Sequence, residues 1–220
     1  VVLVIFAILY ATAPQRSKQP LASHESFLQS IKHAGTPIWL VGIAWLFFNA
    51  SLVSFFTFSP DFLQSAGFSI ASAGFYTSLA MWPSFITSPA IGYVIDKIDR
   101  KRAIIAACAL AAAILMLWVP RAIDQMLVLM LLIGITTTII PTPIYAAASE
   151  FSASQRLGLS YGILTTCLNI GVLVGPAVTG LIRDITGVYQ ASYALMSGFS
   201  LAIAVVILFL RQNRGSKQTK

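Results

Sequence analysis

Six apolar segments, each about as long as a bilayer is thick, constrain this chain more than anything else in it. They fall near 37–58, 71–95, 103–119, 126–148, 157–182 and 191–210. About 20 apolar residues cross the hydrocarbon core as a helix. No Asp, Glu, Lys or Arg stands deep within any of the six. Only 10% of the 220 residues are charged, against about 25% in soluble domains, so most of the surface cannot face water. In lipid, backbone polar groups must be paired inside the protein. The segments therefore predict an all-α integral membrane protein whose main solvent is the lipid bilayer.

The charges between the spans are asymmetric. Alternating the loops places Arg16, Lys18, Lys32, Lys97, Arg100, Lys101, Arg102, Arg156, Arg211, Arg214, Lys217 and Lys220 on one side. Only Arg121 and Arg183 fall on the other. Lys and Arg are retained on the cytoplasmic side. This predicts a multi-pass protein of the inner or plasma membrane, with the 13–36 loop and the carboxy terminus in the cytoplasm. The net charge of +7 does not point to nucleic acid, because the basic residues form no continuous stripe and no aromatic-interleaved patch.

The apolar run from Val1 to Tyr10 lacks the basic start of a signal peptide and is too short to span. It reads as a helix cut short. The expected organisation is the end of a truncated helix at 1–12, a loop at 13–36, a six-helix transmembrane domain at 37–210 and a basic tail at 211–220. Cys108 and Cys167 lie in apolar stretches without a Cys-x-x-Cys, and His24 and His33 lie in a polar segment. No metal site, disulfide framework or cofactor is expected. The spans hold no His-rich, Ser–Lys or paired-Asp spacing, so no enzyme is expected either.

Two motifs stand out. The first runs from Gly92 through Asp96, Lys97, Asp99 and Arg100 to Arg102. A helix ends there at the membrane face; Gly92 permits close helix contact, and Asp96 can pair with Arg100 one turn on. The second places Gly171, Gly175 and Gly180 around Pro176. Small residues four apart let helix backbones approach closely.

The 92–102 run resembles the G-x-x-x-D-R-x-G-R-R signature of the major facilitator superfamily, in its second copy between helices eight and nine. Lys97 replaces an Arg there and Asp99 a Gly. Pro60 to Leu63, Gly67, Ala73 and Gly74 resemble the approach to helix eight. Glu150 and Arg156 resemble the acidic–basic pair between helices ten and eleven. Gly180, Asp184, Thr186, Gly187 and Tyr189 resemble the exit from helix eleven. The resemblance implies the carboxy-terminal half of such a transporter, a six-helix bundle of two inverted three-helix repeats. It would follow the end of helix six and work with an amino-terminal six-helix partner.

The family's cytoplasmic gate then implies a charge network of Gly92, Asp96, Arg100, Glu150 and Arg156. Gly171, Gly175, Pro176 and Gly180 resemble a G-x-x-x-G-P signature. They are expected to serve helix packing, on a face of helix eleven turned toward the amino-terminal half. Polar and aromatic groups inside spans are candidates for a solute cavity: Asn49, Trp82, Thr137, Tyr161, Thr165 and Asn169 first. Trp45, Ser51, Tyr76, Ser84, Thr87, Thr136, Thr138, Tyr145 and Thr166 follow. An amide at mid-span needs partners, and a wet cavity supplies them. Such a lining suits a small solute such as a sugar, an amide or an anion. An anion's countercharge, and any coupling proton or counter-solute, would have to come from the other half. The reading opposed to a transporter half is a membrane scaffold or assembly subunit that moves no solute.

Overall fold

The computed structural model describes residues 35–85, 91, 93, 100–150 and 157–210. The chain divides into two units, Val1–His33 and Ala34–Lys220, and the described residues all belong to the second. They form α1 (Thr36–Ser65), α2 (Ile70–Leu79), α3 (Lys101–Trp118), α4 (Met126–Ile139), α5 (Pro141–Glu150), α6 (Leu157–Thr186) and α7 (Tyr189–Leu208). Two short 3-10 turns, Val119–Arg121 and Ile123–Gln125, join α3 to α4. Five helical stretches among the described residues are long and apolar enough to cross a membrane. Of the predicted 71–95 span, residues 71–85, 91 and 93 are described.

Local chemistry sets the helix ends. α1 begins with Pro37 in its first turn, where a missing N–H costs nothing. It runs past the predicted end at 58 and through Pro60 to Ser65. Gly67 stops it at φ 96°. Its N–H donates to Gln64 O, and that of Phe68 donates to Leu63 O, both at 3.0 Å. This is the Schellman arrangement, for which glycine is the natural residue. Ser69 then caps α2 by accepting the Ser72 N–H. Gly187, at φ 71° with its N–H on Arg183 O at 2.9 Å, ends α6 in the same left-handed way.

The predicted 126–148 span is interrupted. Pro141 and Pro143 have no N–H to donate to carbonyls one turn back, and α4 gives way to α5 at Ile140.

α1 is the central column, with 61% of its most apolar window buried, and α6 is the most exposed span at 28%. Two apolar clusters stack along α1. One gathers Val41, Trp45 and Phe48 with Ile105, Ile144, Leu164 and Ile203. The other gathers Phe55 and Phe62 with Met116, Met130, Ile133 and Tyr193. Polar bonds fix α7 between α1 and α3. Ser51 Oγ donates to Met196 O at 2.9 Å and pairs with Ser200 Oγ at 2.8 Å. Ser59 pairs with Tyr193 Oη at 2.9 Å, and Ser197 donates to Ala113 O at 2.8 Å.

α6 lies parallel to α1 along a seam of small residues. Gly42 meets Cys167, Leu46 meets Gly171 and Ala50 meets Gly175, one turn apart on both helices. This corrects the expectation that Gly171 and Gly175 face an amino-terminal half: both are buried against α1. Gly180 lies beside the Phe58 ring, and Pro176 is inside the helix, half-buried.

Candidate functional site

Gly92, Asp96 and Arg156 of the expected charge network lie outside the described residues, as does Thr87 of the cavity candidates. Arg100 is exposed and stands just before α3. Glu150 ends α5, and its carboxylate accepts from Lys101 Nζ at 2.5 Å. Sequence reasoning did not name Lys101 for this role, because three consecutive basic residues offer no pattern that singles one out. Beside it, the Arg102 guanidinium donates to the Leu210 carbonyl, a favourable place for a cation at the end of α7. These two contacts gather the start of α3 and the ends of α5 and α7 into one charged end. At another helix end Arg183 stacks on the Tyr189 ring, 4.2 Å from its centroid. Every described charged side chain lies at or near a helix end or in a connecting turn.

The cavity candidates separate into three environments. Ser51 is in the packed interior, bonded to α7. Asn49 and Thr137 are also buried. Asn49 Nδ2 donates to Trp45 O at 2.8 Å, and Thr137 Oγ1 to Ile133 O at 2.8 Å. Thr136 and Thr138 likewise bond back into their own helix, as hydroxyls in membrane helices commonly do.

Trp82, Tyr76 and Ser84 lie at α2 and the turn after it. Trp82 is half exposed and meets Phe75, which meets Tyr76, which meets Phe68.

The third environment is one exposed face of α6. Tyr161, Thr165 and Asn169 follow each other a turn apart, with Thr166 beside them, and all are exposed. Thr165 Oγ1 donates to Tyr161 O and Asn169 Nδ2 to Thr165 O, at 2.9 and 2.8 Å. Tyr161 extends this face onto two other helices. Its ring lies 6.2 Å from that of Tyr145 on α5, and Tyr145 lies edge-on to Trp45 on α1 at 5.3 Å. Trp45 stacks on Phe48 at 5.0 Å. Trp45 is 5% exposed, and its indole N–H has no hydrogen-bond partner among the described residues. The sequence held each residue of this row as a separate candidate; nothing in its spacing joined them.

A family model described as Major Facilitator Superfamily matches residues 40–220. The lysosomal dipeptide transporter MFSD1 of Homo sapiens is 24% identical over 85% of this chain and 40% of its own length. The multi-drug resistance efflux pump PmrA of Streptococcus pneumoniae is 30% identical over 78% of this chain and 45% of its own. In structure, a variant of the Escherichia coli fucose:proton symporter FucP matches with a TM-score of 0.80 at 16% identity. That match covers 96% of this chain and 53% of the symporter. The chain thus spans about half of that structure and less than half of the two curated relatives.

Proposed function

Because the chain belongs to the Major Facilitator Superfamily, we propose that it is the carboxy-terminal half of a secondary active transporter that moves a small solute by alternating access. The observation that carries this reading is the likeness, over 96% of the chain, to about half of a solute symporter. The chain is a multi-pass integral membrane protein, and its relatives are named for transport of dipeptides and drugs. An amino-terminal six-helix half would complete it, and the two would rock about a central site.

In this reading the end of the bundle holding Lys101, Arg102 and Glu150 faces the cytoplasm, as the excess of Lys and Arg supports. The Lys101–Glu150 pair is one of the contacts that differ between the inward-closed and inward-open states. Gly92, Asp96, Arg100 and Arg156 belong to the same gate. A solute shifts that balance only by binding one state better than the other. Of the expected cavity residues, Trp82, Tyr161, Thr165 and Asn169 stand exposed and supply the cavity from this half, with Asn49 and Thr137 buried behind the surface. No described Lys or Arg stands at mid-span, so an anionic solute or a coupling ion would draw its partner charge from the other half.

Sequencing the DNA upstream of the Val1 codon is the first test. The expected result is an in-frame extension of about six apolar spans. A stop codon and usable start directly upstream would favour a scaffold, or a split transporter with a separate amino-terminal partner, instead. With the complete protein in liposomes, a cysteine replacing Thr165 in a Cys108→Ser/Cys167→Ser background should react with an impermeant maleimide at a rate that transported solute changes. A rate indifferent to every transported solute would remove Thr165 from the cavity.

A further inference from the structure

We propose that the row formed by Trp45, Tyr145 and Tyr161 recognises the solute, and that it selects an uncharged molecule with a flat apolar face and a hydrogen-bond acceptor. This rests on the transporter reading above and adds the chemical class of what is carried.

Three observations converge. The row crosses three helices, α1, α5 and α6, through ring contacts at 5.3 and 6.2 Å. Its two tyrosines are 41% and 39% exposed, so they reach the surface rather than fill a core. Its innermost member holds a buried N–H without a partner among the described residues, and a buried donor normally has one. Flat apolar groups stack on such rings. An acceptor on the stacked molecule reaches the indole N–H once Tyr145 turns off its edge contact with Trp45. Tyr145 sits on α5, the short helix beyond the Ile140 break, so the ring packed edge-on to Trp45 is carried by a segment separate from α4.

The same features decide against charge. Ring faces carry negative electrostatic potential and disfavour an anion. The row includes no Lys or Arg to offset this, and the described basic side chains lie at helix ends and turns. A cation would gain from the ring faces, but it would meet the positive end of the indole N–H and find no carboxylate in the row. The hydroxyls of Thr165 and Thr166 donate to their own helix at 2.9 Å, so toward a solute they can only accept, and they do not compete with the indole N–H for its acceptor.

The test uses the complete protein, purified in detergent, with three probes that share a phenyl ring and differ in charge: neutral phenyl β-D-glucoside, anionic benzoate and cationic benzyltrimethylammonium. Thermal unfolding is followed against probe concentration. The glucoside should raise the unfolding temperature saturably, and the two charged probes should not. Trp45→Phe keeps an aromatic ring, a smaller one, and removes the N–H. It should raise the half-saturating glucoside concentration about tenfold, the scale of one neutral hydrogen bond. Tyr161→Leu, at an exposed position, should weaken glucoside binding without lowering the stability of the unliganded protein.

Tighter binding of either charged probe overturns the proposal. So does a glucoside without effect, or a glucoside curve unmoved by both substitutions. Binding is read without flux, so the two readings fail separately. A protein that binds the glucoside through this row yet moves no solute defeats the transporter reading alone. Solute flux from a protein whose row is inert defeats only the present one.

Discussion

A β-carbon on Gly175 would stand 2.5 Å from both the Cα and the carbonyl oxygen of Ala50. No side chain could move aside to admit it, because the obstacle is backbone. Gly175→Ala should therefore force α6 away from α1, at about 1–3 kcal/mol, the usual cost of overpacking. Gly171→Ala should behave alike, since its β-carbon would strike the Leu46 carbonyl. Gly158 and Gly162 have nothing within 4 Å of the same position, and alanine there should leave stability unchanged or raise it by up to about 1 kcal/mol. Thermal unfolding in detergent measures all four; equal losses at every position would refute the seam.

Gly134 makes the second close approach. Its β-carbon would lie 2.5 Å from the Ala80 carbonyl oxygen and 2.9 Å from Pro83 Cγ. Gly134→Ala should separate α4 from the turn after α2 at a similar cost. A disulfide engineered between these two segments should form more slowly in the variant; an unchanged rate would show that the contact is loose.

The Lys101–Glu150 pair should matter more to conformation than to stability. Its side chains are 21% and 55% exposed, and surface ion pairs contribute about 0–1 kcal/mol. Glu150→Gln should leave the unfolding temperature nearly unchanged while speeding alkylation of a cysteine placed at Ser149. The exchange Lys101→Glu with Glu150→Lys should restore the slow rate. Failure of the exchange to restore it would mean that the pair is incidental.

Ser51 ties α1 to α7 through Met196 O and Ser200 Oγ. In membrane proteins such bonds couple by about 0.6 kcal/mol. A double-mutant cycle of Ser51→Ala and Ser200→Ala should return a coupling of that size. A value indistinguishable from zero would assign the serines to close packing alone.

The sequence by itself determined how this chain partitions between lipid and water. Long apolar runs, charges confined to their ends and a lopsided distribution of Lys and Arg are read along one dimension, and so were legible. The Gly92–Arg102 and Gly180–Tyr189 segments carried the family resemblance in the same linear way. The end of α6 was legible only approximately: the apolar run predicted 182, whereas the helix continues to Thr186 before Gly187.

Tertiary structure alone decided which way each helix turns its sides. A membrane helix is apolar nearly all round, so hydropathy does not set its rotation. Close packing and interhelical hydrogen bonds set it instead. That is why Gly171 and Gly175, expected on a face turned toward the amino-terminal half, lie against α1, and why Ser51, a cavity candidate, is bonded to α7. It is also why Glu150 meets Lys101, 49 positions away in sequence. The row of Trp45, Tyr145 and Tyr161 exists for the same reason: three rotations, each chosen by packing, bring together rings that no spacing in the chain relates.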